Sequence, residues 1–504
     1  MPVTTAAGHE GADARLVWPV LSFDRLVVAL MALGLLAMAA RVSVDSDTWW
    51  HLRAGAWMLA ERRILTFDAF SHTFAGQPWD YPAWLSQMTL YFIFDRFSYA
   101  GLNLLTAVCV TAAFGLVFAA APGRLGVRVA AVLLGAIASS VFWSARPQIL
   151  SLVLSAAFLL VLQRFRRGGR NRLWLLPPLM ALWANLHPGF ATGFIFLGLT
   201  LAGEAIRAVL GRQQWRAVAW LAAISGGCLI ALLLTPYGAD LILFPFKTVA
   251  IGLLREHIQE WQSPNFHWLV AQPFIWLWLA VMAALGLARV RVDITDFLLL
   301  SATAYLALLA GRNIALFALV APPVLARHAD ALLTEAGARY GPRFVRLARP
   351  ASRPFRLANL LNWLILLLVA VAATLKLIYI SDPALNADLA TRGMPVEAAA
   401  FLAEQRPAGL LYNPYEWGGY LSWRLYPDYP IFVDGRTDLY SDDFFSDYLQ
   451  LAGGDENSPA LLERYGVELV LTQPDSPLAA RIVTARGWTE LYADPVAVIY
   501  SRTN

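Results

Sequence analysis

Cysteine is nearly absent from this chain, with two residues in 504. Cys109 and Cys228 both fall inside apolar runs, which argues against a disulfide framework and against a thiolate metal centre. Charge is scarce as well. Only 15% of the residues are Asp, Glu, Lys or Arg, against 58% hydrophobic, a balance foreign to soluble globular proteins. The net charge is only +4, and the arginines lie in short loops between apolar runs instead of forming a stripe, so the basic residues do not point to nucleic acid. No convincing internal repeat is present, whereas transporters usually carry one. No small-residue cleavage site follows the first apolar run, 26–42, which therefore reads as an anchor and not as a removable signal.

What the chain has instead is apolar segments, recurring at the roughly 17 to 25 residues that a bilayer demands. They fall at 26–42, 101–120, 128–145, 147–163, 173–186, 189–206, 217–235, 273–288, 297–311, 314–326 and 359–380. The prediction is a polytopic α-helical membrane protein with about 11 transmembrane helices, the shorter ones tilted or shielded by neighbours. The 19 tryptophans suit a protein with many membrane–water boundaries.

Alternate loops hold the arginines: Arg124; Arg164, Arg166, Arg167, Arg170 and Arg172; Arg207, Arg212 and Arg216; Arg289 and Arg291. The linker from Arg327 to Arg356, with Arg339, Arg343, Arg346, Arg349 and Arg353, completes the series. All fall on one side, which the positive-inside rule makes cytoplasmic. That predicts a cytoplasmic tail over 1–25, with the polar stretch Met1 to Gly11 disordered. A membrane domain follows over 26–380 with a long first outer loop, 43–100, and a separate domain over 381–504 lies on the outer face. The short loops and single large outer domain look bacterial, which places the chain in the inner (plasma) membrane with its C-terminal domain periplasmic or extracellular.

Within 381–504, helical patterns at 395–406, 441–452, 458–465 and 476–486 alternate with β-rich runs at 409–412, 431–434, 468–472, 489–492 and 496–500. The alternation predicts a small α/β soluble domain. In the first outer loop, Trp84 to Phe97 has helical apolar spacing and predicts an interfacial amphipathic helix.

The outer loops gather the chemistry. Val44-Asp45-Ser46-Asp47-Thr48-Trp49-Trp50-His51-Leu52-Arg53 packs two acids, paired aromatics, a histidine and an arginine into one helix entry. A helix starting near Asp47 puts His51 on the same face one turn on, and Trp49 under Arg53. A carboxylate beside an imidazole holds a divalent cation (Mg²⁺ or Mn²⁺, with Asp47, Asp45 and His51 as ligands) or acts as a base. The plainer reading of the same residues is a helix cap followed by interfacial tryptophans. Further polar groups stand at span ends on the same side: Arg146, His187, Glu260, Arg312 and Asn313. Ionisable groups segregated to one face of a membrane protein tend to line a site. In the outer domain, Tyr412-Asn413-Pro414-Tyr415-Glu416-Trp417-Gly418-Gly419-Tyr420 and Val433-Asp434-Gly435-Arg436-Thr437-Asp438 interleave aromatics with acids, as sugar stacking or peptide docking requires. Glu416, Trp417, Asp434 and Arg436 are the candidates there, and a turn that packs this domain on the membrane part is the alternative.

The stretch Asp47-Thr48-Trp49-Trp50-His51-Leu52-Arg53 resembles the first outer loop of the GT-C superfamily of polyprenol-dependent glycosyltransferases, most nearly the catalytic subunit of oligosaccharyltransferases. Those proteins also place a soluble domain with a Trp-Trp-Asp-Tyr-Gly motif after the last span. Tyr415-Glu416-Trp417-Gly418-Gly419-Tyr420 looks like a degenerate cousin of it, with the order of acid and aromatic changed. The acid pair that completes the family's metal site in the next outer loop is replaced here by Arg146-Pro147-Gln148.

The resemblance implies transfer of a sugar from a polyprenyl-phosphate-linked donor to a protein, lipid or glycan acceptor at the outer face. Asp47 would then be the base, assisted by Asp45, with Glu260 as a further acid. Arg146, His187 and Arg312 would stabilise the leaving phosphate, and His51, Arg53 and Asn313 would contact substrate. The rival expectations are a transporter or flippase of lipid-linked glycans, an O-antigen polymerase or ligase, and a non-catalytic membrane subunit.

Overall fold

A backbone in hydrocarbon must satisfy its own N–H and C=O groups, so each apolar run can only fold as a helix. In the computed structural model, which describes residues 19–43, 45–249, 252, 256–341 and 356–503, every one of those runs lies on a helix. Among the described residues, seven helices are long and apolar enough to cross a membrane: Trp84–Ala120, Leu125–Phe142, Gln148–Arg166, Pro188–Val209, Trp215–Leu234, Gly311–Tyr340 and Arg356–Ile380. Leu173–Leu186, Gln272–Leu287 and Ile294–Leu309 are shorter apolar helices, and Phe23–Ala39 carries the first apolar run. Residues 1–18 of the expected tail, Val44, and Arg343, Arg346, Arg349 and Arg353 of the expected linker lie outside the described residues.

The amphipathic segment from Trp84 is helical up to Ser98, whose φ of 52° breaks the helical path, and a second helical stretch continues beyond the kink to Ala120. One boundary differs from expectation. The helix that begins at Ile314 does not stop at residue 326; it passes Pro322 and Pro323 and continues to Tyr340. Alanine, leucine and arginine favour helix without help from lipid, so the linker's first half extends the span.

Small residues let the helices close on one another, as they do when the solvent is lipid and not water. A Cβ on Gly135 would meet the Pro322 ring at 2.5 Å and the Ala318 carbonyl oxygen at 2.8 Å. Gly203 abuts Thr295 in the same way. At one end of the bundle a buried ion network ties three helices together. Arg166 pairs with Asp296 at 2.7 Å, with Glu204 at 3.3 Å and with Asp293, while Arg207 reaches Glu204 at 3.2 Å and Asp293 at 3.3 Å. Arg166 ends the helix that Gln148 begins, so this network and the residues around Arg146 occupy opposite ends of one helix.

The C-terminal region carries a four-stranded mixed sheet, β1 Leu410–Tyr412, β2 Val467–Thr472, β3 Trp488–Ala493 and β4 Val498–Arg502, in the order β1-β2-β4-β3. β1 and β2 are parallel; β2 with β4 and β4 with β3 are antiparallel. Residues 431–434, expected as a strand, join no sheet and make only an isolated bridge, Ile431 to Ser71 of the 43–100 loop. The Tyr415–Leu425 stretch is a helix, seated tightly by two glycines: a Cβ on Gly418 would lie 1.9 Å from the Val433 carbonyl oxygen, and one on Gly419 2.7 Å from that of Ser46.

The same loop is stapled to the C-terminal region by buried charge. Arg436 donates from Nη1 to Asp68 at 2.6 Å and from Nε to Asp434 at 2.8 Å, and all three side chains are fully buried. The guanidinium lies 5.1 Å from the Trp79 ring centroid and 5.3 Å from that of Phe70. Backbone bonds run alongside, from the Ile431 N–H to the Phe70 carbonyl at 2.9 Å and from the His72 N–H to the Ile431 carbonyl at 3.0 Å.

Candidate active site

The helix Asp47–Glu61 opens with two acids that are not left to solvent. Asp45 Oδ1 accepts the Asp47 backbone N–H at 3.0 Å, closing the turn into the helix. One turn along, the Trp50 indole N–H donates to Asp47 Oδ1 at 3.1 Å. The other carboxylate oxygen faces Arg146, which stands in the turn just ahead of the Gln148–Arg166 helix. Arg146 Nη1 pairs with Asp47 Oδ2 at 2.5 Å, Nε with Asp45 Oδ2 at 3.0 Å, and Nη2 with Glu260 Oε1. Glu260 comes from the short turn Gln259–Trp261, which puts it over a hundred positions from Arg146 in the chain.

These groups border a cavity of about 670 Å³. Its walls include Asp45, Asp47, Trp50, His51, Tyr81, Arg146, His187, Glu260, Trp261 and Arg312, and the C-terminal region adds Tyr415, Glu416, Gly435, Thr437 and Asp438. Gly435 is there because nothing larger fits: a Cβ on it would stand 2.0 Å from Asp47 Oδ1 and 3.0 Å from Trp50 Nε1. A smaller adjoining cavity, lined by Ser151, His187, Arg312 and Asn313 among others, opens beside it.

The cavity's electrostatics follow from burial. Desolvation pushes the Asp47 carboxyl up to about 7; the Arg146 charge pulls it down, and Asp45 and Glu260 push it further up. Glu260 goes the other way, because Arg146 and then Arg312 overcome its desolvation and hold it below the usual carboxylate range. Three carboxylates keep Arg146 firmly protonated despite its burial. Burial, with the Arg312 and Arg146 charges, drops His187 to about 3, so its imidazole is neutral. Its Nδ1 accepts the Gly189 N–H at 2.9 Å, which leaves the ring proton on Nε2. His51 is also held neutral by burial and by Arg146, and its Nδ1 lies 3.3 Å from the Gln87 side-chain amide. Arg312 lies 4.5 Å from the Trp261 ring centroid, and among the described residues no carboxylate forms an ion pair with it.

Of the residues singled out in the sequence, Asp45, Asp47, His51, Arg146, His187, Glu260, Arg312 and Glu416 border the larger cavity. Asn313 borders the smaller one and donates to the Leu306 carbonyl at 3.0 Å. Arg53 turns away, lying 4.9 Å from the Tyr426 centroid and 5.9 Å from that of Trp423. Trp49 does not lie under it but packs edge-on against Tyr420 at 5.4 Å, because the Tyr415–Leu425 helix docks on that face. Trp417 is buried, with its indole N–H on the Gly393 carbonyl at 2.9 Å. Asp434 and Arg436 form the staple to Asp68 described above.

Sequence reasoning passed over Asp438 and Tyr81. Asp438 accepts from the Trp79 indole at 3.1 Å, and burial raises its carboxyl to about 6. Nothing local distinguishes it from Asp434 four positions earlier; only the fold turns one into the cavity and the other into the staple.

The expected cation site does not fit a divalent ion. Asp45 and Asp47 converge with Glu260 on the Arg146 guanidinium, which fills the position between them. Among the described residues no group of three or more His, Cys, Asp and Glu side chains is placed to hold a metal.

No protein-family model matches the sequence, and no curated protein matches it. Solved structures do resemble its fold. The oligosaccharyltransferase AglB of Archaeoglobus fulgidus, in complex with an inhibitory peptide and a dolichol-phosphate, superposes with a TM-score of 0.57 at 12% identity, over 90% of this chain and 70% of that one. The same organism's oligosaccharyltransferase, tethered to an acceptor peptide containing an NVT sequon, gives 0.56 at 11% identity over 88% and 69%. ArnT of Cupriavidus metallidurans bound to undecaprenyl phosphate gives 0.47 at 14% identity over 94% and 97%. The chain thus shares its fold with the Archaeoglobus fulgidus oligosaccharyltransferase.

Proposed function

We propose that the protein is a glycosyltransferase that moves a sugar, as a hexosyl or oligosaccharyl unit, from a polyprenyl-phosphate-linked donor to a protein, lipid or glycan acceptor. The observation that carries this is the company Asp47 keeps. A carboxylate poised to titrate at about 7 faces a cavity of about 670 Å³ that also presents Arg312, with no carboxylate partner among the described residues, and the neutral His187. Asp47 takes the proton of the acceptor's nucleophile as it attacks the anomeric carbon, and a base titrating near the working pH suits that step. The bond to the donor phosphate breaks in the same displacement, with inversion, and the released charge falls on Arg312 and the Nε2–H of His187. Asp45 holds the turn that aims Asp47. The ligands in the Archaeoglobus complex, a peptide and a dolichol-phosphate, are of the kinds this reading requires.

About eleven membrane spans go with this reading: the seven long helices, the three shorter ones and Phe23–Ala39. By the positive-inside rule the cavity opens on the outer face of a bacterial inner membrane. Residues 1–25, 26–380 and 381–504 then form the cytoplasmic tail, membrane domain and outer domain. The test is transfer from a radiolabelled polyprenyl-phosphate sugar pool in membranes. Label reaching a new acceptor with the intact chain but not with Asp47→Asn supports the proposal. Lipid-linked sugar that crosses the membrane without transfer would make the chain a transporter.

Two variants probe the geometry. Arg312→Gln should raise the donor KM and lower kcat/KM by about 10²- to 10³-fold, the worth of one charge-stabilising donor. Unaltered kinetics would remove Arg312 from the phosphate. Gly435→Ala forces a methyl into the Asp47 carboxylate, at 2.0 Å from Oδ1. Transfer should fall at least about tenfold in a protein that still elutes as a single species, because an ångström of misplacement is costly in catalysis. Wild-type rates would show that Asp47 need not be held there.

A further inference from the structure

The position between Asp45, Asp47 and Glu260 is already filled. Each nitrogen of one guanidinium takes one carboxylate: Nε takes Asp45 at 3.0 Å, Nη1 takes Asp47 at 2.5 Å, and Nη2 takes Glu260. The acids come from three places in the chain, before the Asp47–Glu61 helix, at its first residue, and in the Gln259–Trp261 turn. Three converging carboxylates, with the Arg146 side chain only 10% exposed among them, repel one another strongly unless a cation sits at the centre. Oxygen-only acid clusters are what hard divalent ions bind. Here a side chain takes that role. A guanidinium is planar, permanently charged and cannot be chelated away.

We infer that Arg146 is a built-in substitute for a divalent cation: the intact protein has no divalent-ion site in this cavity, and removing the guanidinium creates one. Arg146 then holds the Asp47 carboxylate in place, while Arg312, with no ion pair among the described residues, is left for the donor phosphate. The consequence for transfer, that it proceeds without added metal, rests on the function proposed above; the consequence for ion binding does not.

The experiment titrates Mn²⁺ into purified full-length protein and reads free Mn²⁺ by electron paramagnetic resonance, beside the melting temperature. The intact protein should leave the Mn²⁺ signal and its melting temperature unchanged. Arg146→Ala should immobilise one equivalent of Mn²⁺ and gain melting temperature with it, and Arg146→Ala/Glu260→Gln should lose that site. In the transfer assay, EDTA should change the intact protein's rate by less than about twofold. Mn²⁺ immobilised by the intact protein and released by Asp47→Asn overturns the inference, and so does an Arg146→Ala protein that folds but binds none. Should Arg146→Ala fail to fold, the intact protein decides alone: no immobilised Mn²⁺ upholds the inference and one equivalent sinks it. Expected Mn²⁺ behaviour with no transfer from any donor would retire the glycosyltransferase reading and leave the built-in cation standing.

Discussion

Asp47→Asn should abolish measurable transfer, with a loss on the order of 10³-fold within the 10² to 10⁴ that general-base catalysis supplies. The amide keeps the shape of the carboxylate and can still accept the Trp50 indole hydrogen, and Arg146 keeps Asp45 and Glu260, so the cavity should survive while the proton acceptor and its ion pair with Arg146 are lost. The intact protein's pH profile gives a second, independent reading. A base works only when deprotonated, and burial raises Asp47 to about 7. Transfer should therefore fall as pH drops through about 7, about three units above where an ordinary carboxylate would lose activity. The groups facing Asp47 are Arg146, Asp45, Glu260 and Trp50. Of these, Arg146 pulls its pKa down, so Arg146→Gln should move the limb to higher pH. A profile flat to pH 5, or full transfer by Asp47→Asn, would discard Asp47 as the base.

Arg436→Met should cost about 3–5 kcal/mol, because it leaves Asp68 and Asp434 charged, buried and unpaired. The effect should appear as a lower melting temperature and as rapid proteolysis between the 43–100 loop and the C-terminal region. Adding Asp68→Asn and Asp434→Asn to Arg436→Met should recover much of the loss, since the penalty lies in uncompensated charge more than in the missing contact. Such recovery separates a structural staple from a substrate-binding arginine. Equal protease resistance in the single variant and the intact protein would mean that the two regions hold together without this charge.

The membrane class of the chain and the placing of its helices were legible from the sequence because hydropathy is a local property. A run such as 359–380 needs no partner to be helical in lipid, and it lies on the Arg356–Ile380 helix. The likeness of Asp47 to Arg53 to a GT-C first loop was legible for a similar reason, since its residues are contiguous and open one helix. Local pattern misjudged the segments whose partners are remote. Residues 431–434 have strand composition, yet their neighbour is the 43–100 loop and not the sheet.

By itself, then, the sequence determined a polytopic helical membrane protein with polar residues gathered at the ends of its apolar runs, and it pointed to Asp47. Only the tertiary structure decided what those residues do to one another. Arg146 looked like a basic residue where an acid was expected; its three carboxylates became visible only once Asp45, Asp47 and Glu260 were brought around it. Asp434 and Asp438 share a stretch and a chemistry, and the fold sent one to Arg436 and the other to the cavity. The physical reason is range. Hydrophobic periodicity acts over a few residues, whereas charge pairing and desolvation depend on which atoms are neighbours in space.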